Sequence, residues 1–341
     1  MISSSAIPAS LKTRILIVGA GSIGERHTRV FRQLGVPVAV VDPRRTLANQ
    51  IAHKYGCFNS YGHIEEVPLH EFDAAVICTP ADSHVPLADR CAHAGLHLLV
   101  EKPFAAALDG VENLISFCHS RSLVLAVAYV LRTHPTLVRA RELVLERKLG
   151  QLLVIQAACT HHVANARPDY KQTYFAERRS GGGVIFDLSH ELNYLEWIAG
   201  PMELLHCRTS TFELLEVPTE GEADLLLRVA DRAAVNLHLS ACDWNSRREF
   251  HITGTEASLT GNLLTGNLAL SHLGGQEQWC DEVRERDALY RDQANAFMAC
   301  IHQGITPPCS GEAGLQTLST CLAALERADE YRFSASGRAA R

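Results

Sequence analysis

Between residues 14 and 35 the hydrophobic period of the chain changes, and the change falls on a run of glycines. Arg14-Ile15-Leu16-Ile17-Val18 is a short apolar, β-branched run, the mark of a buried strand. Gly19-Ala20-Gly21-Ser22-Ile23-Gly24 follows at once. Beyond it Ile23, His27, Val30, Phe31 and Leu34 recur at helical spacing until Gly35 closes the helix. In a strand–turn–helix of this kind Gly19 allows the tight turn, Gly21 lets the backbone approach a diphosphate, and Gly24 lets the helix pack closely on the strand. The amides at the helix start, Ser22 and Ile23 included, then face an anion. A Gly-x-Gly-x-x-Gly hexad alone is a weak signal. Here a second apolar run, Val36 to Val41, ends at Asp42, about 20 residues on, where a carboxylate accepts from ribose hydroxyls. The three contexts together predict a dinucleotide site. Asp42 repels a 2′-phosphate, which favours NAD. Arg44 and Arg45 follow at once and are equipped to hold that phosphate, which leaves NADP open.

The strand–helix alternation continues. A helix-like stretch runs to about Tyr55. Ala74 to Cys78, His97 to Val100 and Leu123 to Ala128 are further buried-strand candidates, with Ser83 to Ala94 as a helix. Apolar strands separated by helices predict an α/β unit with a doubly wound parallel sheet. The second half reads differently. Leu152 to Thr160, Leu225 to Val229, Glu249 to Thr253 and Ser258 to Gly261 are strand candidates without intervening helices. Val235, Leu237 and Leu239 alternate with Asn236, His238 and Ser240. Helices are expected near Leu289 to His302 and near Gly314 to Tyr331. The 341 residues suffice for two domains: a flexible leader 1–13, a dinucleotide-binding domain 14–130, an α+β domain 131–333 with an antiparallel or mixed sheet, and a flexible tail 334–341.

Composition narrows the classes. With 47% hydrophobic and 21% charged residues, a disordered chain is not the default. The net charge of −6 is spread out, with no basic stripe, so no nucleic acid partner is expected. No apolar run approaches the ~18 residues that span a bilayer, so no membrane is expected either. Eleven cysteines, scattered singly without Cys-x-x-Cys, point to a reducing compartment, the cytoplasm. His161-His162 has no Cys or carboxylate pattern beside it to complete a metal site, so these histidines read as structural or solvated and no metal is expected.

Three further segments stand in order after the glycine turn: Cys78-Thr79-Pro80-Ala81-Asp82-Ser83-His84, Glu101-Lys102-Pro103, and Gly181-Gly182-Gly183-Val184-Ile185-Phe186-Asp187-Leu188-Ser189-His190. With the turn, they resemble the glucose–fructose oxidoreductase, inositol dehydrogenase and MocA-type (Gfo/Idh/MocA) family. The resemblance implies an N-terminal Rossmann domain and a C-terminal α+β domain whose open mixed β-sheet joins subunits, as a homodimer or homotetramer. It also implies a carbohydrate-like small-molecule substrate. Lys102, at a strand's C-terminal end where open α/β sheets place ligands, matches the family lysine that contacts the reacting hydroxyl; a surface lysine is the plain alternative. His190 is the expected general acid/base, with Asp187 orienting it or binding substrate. Glu101 braces the lysine or touches the cofactor ribose, and Thr79, Pro80 and His84 border the nicotinamide ribose. Tyr129 and Arg132 are expected in the cleft wall, and Tyr174 among groups that bind sugar hydroxyls or a phosphate, a solvated loop being the equal alternative. The chain departs from the family in two places. Asp187 and His190 are three residues apart instead of four, which on one helix still shares a face. Asn193 stands where the family often has a second aspartate. Gly181 to Gly183 suit close approach to substrate or nicotinamide, or else a flexible lid. The expected function is an NAD(P)-dependent oxidoreductase acting on a hydroxyl or keto carbon of a sugar, polyol or sugar derivative. A non-catalytic dinucleotide-binding regulator of the same fold is the alternative, and an enzyme that recycles its dinucleotide each turnover is a third possibility.

Overall fold

The computed structural model describes residues 13–229, 233–281, 285–333 and 339–340, so nearly all of the expected leader and tail lies outside the described residues. The first unit comprises β1 (Ile15–Val18), α1 (Ser22–Gln33), β2 (Val38–Val41), α2 (Arg45–Tyr55), β3 (Asn59–Tyr61), β4 (Ala74–Ile77), α3 (His84–His93), β5 (His97–Val100), α4 (Val111–Ser120) and β6 (Leu125–Val127). Its six strands lie in the order β3-β2-β1-β4-β5-β6, and all pairs are parallel. Apart from the polar edge strand β3, the strands are continuous apolar runs because helices cover both faces: Ile15, Leu16, Ile17, Ala74, Ala75, Val76 and Ile77 are fully buried. The strand order reverses between β1 and β4, the switch point at which such sheets open a crevice at their carboxyl ends.

After α5 (Pro135–Leu145) the chain builds β7 (Leu152–His162), α6 (Val163–Ala166), α7 (Val184–Asp187), α8 (His190–Ala199), β8 (Met202–Phe212), β9 (Glu222–Val229), β10 (Ala233–Ser240), β11 (Cys242–Gly254), β12 (Ala257–Asn262), β13 (Asn267–His272) and β14 (Gly275–Cys280). It ends with α9 (Arg286–Gln303), α10 (Gly311–Glu326), β15 (Asp329–Phe333) and β16 (Ala339–Ala340). The second sheet has ten strands in the order β14-β13-β12-β11-β7-β10-β9-β8-β15-β16. It is mixed, since β10 runs parallel to β7 and β15 parallel to β8. In β10 the buried Val235, Leu237 and Leu239 alternate with the exposed Asn236 and half-buried His238, because α7, α8 and α10 cover one face alone.

The helix expected to reach Tyr331 stops at Glu326. Residues 329–333 instead extend the sheet beside β8, where Phe333 stacks on Phe212 (5.3 Å) and Arg208 lies over Tyr331 (5.1 Å). A free strand edge and two aromatic contacts outweigh helical continuity there. The last two helices also return to the first unit. Arg26 and Arg29 of α1 pair with Asp287 of α9, and Cys309 accepts from the Val127 amide (3.0 Å) just before α10. Among the described residues, no helix is long and apolar enough to cross a membrane.

Candidate active site

The loop after β1 shows what each glycine does. Gly19 has φ +99, and a Cβ there would lie 2.8 Å from the Cys78 carbonyl in the loop after β4. A Cβ on Gly24 would lie 1.9 Å from the Gly19 carbonyl. Both are glycine because the chain packs on itself. Gly21 differs: its φ is −65, and among the described residues nothing lies within 4 Å of where its Cβ would stand. No side chain caps α1, Ser22 is exposed and Ile23 half-buried. Open space over uncapped amides is what a diphosphate requires, so these residues fit a dinucleotide. Asp42, at the end of β2, is 3% exposed. It accepts from the Ala20 amide (2.7 Å), the Arg44 amide (2.8 Å) and the Arg44 guanidinium at Oδ1 and Oδ2 (both 2.9 Å). Burial works against its charge, but these bonds outweigh burial and hold its pKa below the usual carboxylate range. Asp42 therefore clamps the glycine loop from the end of β2. Arg44 makes this pair from a side chain that is 66% exposed.

Two histidines tie the surrounding loops together. His27 of α1 is buried and donates from Nε2 to Glu101 Oε1 (2.7 Å), while Glu101 Oε2 accepts from the Lys102 amide (3.1 Å). Glu101 thus braces the lysine loop from the helix that opens the dinucleotide site. His84 is 1% exposed, with Nε2 at 2.8 Å from the Thr79 carbonyl and Nδ1 at 3.0 Å from the Pro103 carbonyl. It fixes two loops to each other and does not itself border the crevice. Thr79 is half-buried and Pro80 exposed, at the carboxyl end of β4 beside the switch point.

Lys102 crosses the seam between the two units. Its Nζ donates to the Asp187 backbone carbonyl (2.7 Å) and stands 3.9 Å from Asp187 Oδ1. Burial pushes the Lys102 pKa down, against the pull of Asp187 and Glu101. Burial alone would raise the Asp187 pKa, but Lys102, the Tyr174 hydroxyl, Arg167 and His161 together hold it low. Tyr174 donates to Asp187 Oδ1, and Arg167 lies over the Tyr174 ring at 5.2 Å. Behind this cluster Arg248 makes a bidentate pair with the fully buried Glu191 (2.6 and 2.9 Å).

The expected residues meet in part. Lys102, Asp187 and Tyr174 come together. His190 opens α8 with its ring edge-on to Tyr129 (5.5 Å), whose hydroxyl donates to Ser189 (3.3 Å). Asp187 and His190 do not share a helix: α7 is a single turn that ends at Asp187, and Leu188-Ser189 joins it to α8. Arg132 and Asn193 are corrected. Arg132 is 7% exposed and donates to Asn193 Oδ1 (2.7 Å) and the Pro308 carbonyl (2.8 Å); Asn193 is 1% exposed and donates to Thr317 (3.0 Å). They hold α8 to the chain's last segment and do not face the cleft. The glycine run is corrected too. A Cβ on Gly181 would meet Pro103 (3.0 Å) and Ala81 (3.2 Å), on Gly182 the Tyr174 carbonyl (2.2 Å), and on Gly183 the Glu220 carboxylate (2.1 Å). The close approach is to the protein itself, neither to a ligand nor as a loose lid.

Sequence reading missed His27, Arg167, Glu191 and Arg248, and took His161 for a structural or solvated residue. His161 faces Asp187, Arg248, Glu191 and Arg167, while its neighbour His162 stacks on Trp244 at 3.9 Å. Strand alternation was the available signal, because it sends adjacent histidines to opposite faces. Among the described residues, no group of three or more His, Cys, Asp or Glu is placed to hold a metal.

Residues 13–129 match a family model described as "Oxidoreductase family, NAD-binding Rossmann fold", and residues 137–260 match the Gfo/Idh/MocA C-terminal domain. The chain is similar to UDP-N-acetylglucosamine 3-dehydrogenase of Acidithiobacillus ferrooxidans, 29% identical over 126 residues, which are 37% of this chain and 40% of that protein. It is also similar to inositol 2-dehydrogenase of Rhizobium meliloti, 24% identical over 339 residues, which cover 94% of this chain and 98% of that protein. The match therefore spans less than half of the first relative and nearly all of the second. Among solved structures, levoglucosan dehydrogenase in complex with NADH superposes with a TM-score of 0.83 at 18% identity, covering 92% of this chain and 96% of that one. At that identity the likeness shows the fold.

Proposed function

The chain belongs to the Gfo/Idh/MocA oxidoreductase family, and from that premise we propose that it interconverts a secondary alcohol and a ketone on a sugar, polyol or sugar derivative, using a nicotinamide dinucleotide. The observation that carries the reading is Lys102: its Nζ reaches over the seam to the Asp187 carbonyl at 2.7 Å, with the Asp187 carboxylate at 3.9 Å. A buried ammonium beside one carboxylate is suited to hold an alcohol oxygen as its charge changes.

A bound nicotinamide would supply the acceptor for the hydride, which leaves the alcohol carbon with its electron pair. Gly19, Gly21 and Gly24 shape a cradle that would hold the diphosphate, the Ser22 and Ile23 amides would face the anion, and Asp42, now paired with Arg44, would hold the ribose. Lys102 holds the substrate oxygen by donating to it. His190 takes the hydroxyl proton and passes it to water, and in the reverse direction returns it. Asp187 keeps Lys102 charged and aimed. Thr79 and Pro80 would border the ribose, and Tyr129 packs edge-on against His190. The carboxylate at Asp42 favours NAD; Arg44 gives NADP a partner.

The names of the relatives support a sugar-like substrate: inositol 2-dehydrogenase and levoglucosan dehydrogenase each name a polyhydroxylated ring. We place the chain in the cytoplasm, in keeping with its free cysteines. We place its homodimer or homotetramer contact on the open face of the second sheet, where Leu226 is exposed beside Asn236 and His238. The test is a panel of sugars, inositols and nucleotide-sugars with NAD and with NADP, read by absorbance of the reduced nicotinamide. Turnover of at least one member is expected. Dinucleotide binding without turnover of any member favours the regulatory reading instead.

A further inference from the structure

Asp187 is held from two sides, and the second side has no counterpart in the reaction just described. From the first unit comes Lys102; from the second comes the Tyr174 hydroxyl, bonded to Oδ1. The segment bearing Tyr174 is fastened from several directions. Phe175, 1% exposed, anchors it in the core; its carbonyl accepts from Thr219 (2.8 Å) and from the Gly183 amide (3.1 Å). The missing side chain of Gly182 admits the carbonyls of Tyr174, Phe175 and Glu177. Two residues after Gly181-Gly182-Gly183, the chain is already in the turn that ends at Asp187. The same glycine turn thus fixes both ends of the Tyr174–Asp187 contact.

We propose that Tyr174 is the positioning residue of Asp187: its phenol, seated under Arg167 while its backbone carbonyl lies against the glycine turn, keeps the carboxylate facing Lys102. The proposal rests on the function given above, because it matters there that Asp187 is oriented before substrate arrives. A phenol suits this task. It donates a hydrogen bond without adding charge, so it steadies the carboxylate and leaves Lys102 as the neighbouring cation that meets substrate. Burial and the neighbouring Asp187 raise the Tyr174 pKa far above its ordinary value, so the phenol remains a donor through the working pH range. The charged and titratable groups around Asp187 are Lys102 from the loop after β5, Arg167 after α6, His161 on β7 and Tyr174 itself; Glu191 and Arg248 face His161 behind them.

Titration of the Asp187 carboxyl by carbon-13 NMR reads this contact without any substrate. The aspartates are labelled at the carboxyl carbon, and the signal is assigned by its loss in Asp187→Asn. Tyr174→Phe keeps the ring and removes the hydroxyl alone. Its Asp187 midpoint is expected to rise by about one pH unit, the size of one hydrogen bond to a charged acceptor. Arg167→Gln leaves the hydroxyl in place and is expected to shift the midpoint in the same direction by less. An unchanged midpoint in a Tyr174→Phe protein that melts like the wild type overturns the proposal. Should Tyr174→Phe fail to fold, an unchanged midpoint in Arg167→Gln does the same. In kcat/KM the acid limb of the Tyr174→Phe profile is expected to move up with the midpoint. An equal loss at every pH marks a merely structural tyrosine and overturns the proposal. A shifted midpoint in a protein that turns over no sugar alcohol removes the function proposed above and leaves the role of Tyr174 standing.

Discussion

Near the seam the first unit carries three spaced glycines, Gly19, Gly21 and Gly24, and the second a run of three, Gly181 to Gly183, and the two sets serve different ends. In the first, Gly19 and Gly24 are required by the chain's own packing, while Gly21 opens onto space that the described protein does not fill. In the second, all of Gly181, Gly182 and Gly183 are pressed against protein atoms, and Gly181 and Gly183 have positive φ. The first loop is shaped for a ligand, whereas the second is shaped to lock the Asp187 turn in place. A glycine run therefore tells a reader that backbone comes close to something, and the context tells what. In the first unit that context is local, since the strand, the turn, the helix and Asp42 lie within one short stretch. In the second it is distant, since Pro103 and Glu220 reach the turn from opposite sides in sequence.

The largest effect is expected at the seam that both loops serve. Lys102→Ala should lower kcat/KM by about 10³-fold and leave the dinucleotide Kd within about threefold, as read by steady-state rates and fluorescence titration. A matching loss of dinucleotide affinity would move Lys102 from chemistry into cofactor binding. Next comes the second glycine run. Gly183→Ala places a Cβ 2.1 Å from the buried Glu220 carboxylate at φ +93. Denaturant unfolding should show a loss of about 4 kcal/mol, or an insoluble protein. A wild-type melting curve there would mean that the turn has slack and the contrast between the loops fails.

Glu220 gives the same region a pH signature. It is fully buried, its backbone carbonyl accepts from the Val184 amide and its Oε1 from the Ile185 amide, and Oε2 has no hydrogen-bond partner among the described residues. Burial raises its pKa from 4.5 to about 7. The folded pKa is raised, so the stability it contributes is present in full below the unfolded value near 4.5 and is lost as pH rises through 7. Between pH 5 and 8 the loss should approach about 3 kcal/mol. Glu220→Gln should flatten that part of the curve, so the variant gains on the wild type as pH rises. Parallel curves for the two proteins would contradict the assignment. The smallest effect belongs to the first loop. Gly21→Ala should leave the unfolding free energy within about 0.5 kcal/mol and weaken dinucleotide binding by about tenfold, because the new methyl enters ligand space. A loss of stability with unchanged binding would reverse the comparison.

What the sequence makes legible follows the same divide. Five strands of the first sheet could be read because burial on both faces makes them continuous apolar runs, whereas the polar edge strand β3 could not; the turn at Gly19 to Gly24 could be read because strand and helix flank it. In the second sheet β7, β10, β11 and β12 carry enough apolar alternation to be seen. β14 does not: Gly275-Gln276-Glu277-Gln278-Trp279-Cys280 is an edge strand, exposed along most of its length, so no period marks it. Lys102, Asp187 and Tyr174, which the fold brings together, could be named as candidates. Their partners could not, because Arg167 on Tyr174, His27 on Glu101 and Arg248 on Glu191 are pairs made by tertiary packing. His27 recurs at helical spacing like its apolar neighbours and so reads as core, although its imidazole is bonded to a carboxylate. Arg132 and Asn193 show the converse. Sequence position brings them near the cleft, but it does not say which way a side chain turns, and both turn inward to each other.

A crystal structure of the chain with NAD bound decides whether the seam is a catalytic centre. The diphosphate is expected over Gly21 and the amides of Ser22 and Ile23. The nicotinamide ring is expected beside Lys102, leaving room for a substrate carbon at about 3–3.5 Å from the ring carbon that takes the hydride. A diphosphate bound elsewhere, or a ring turned away from Lys102 and Asp187, would contradict it.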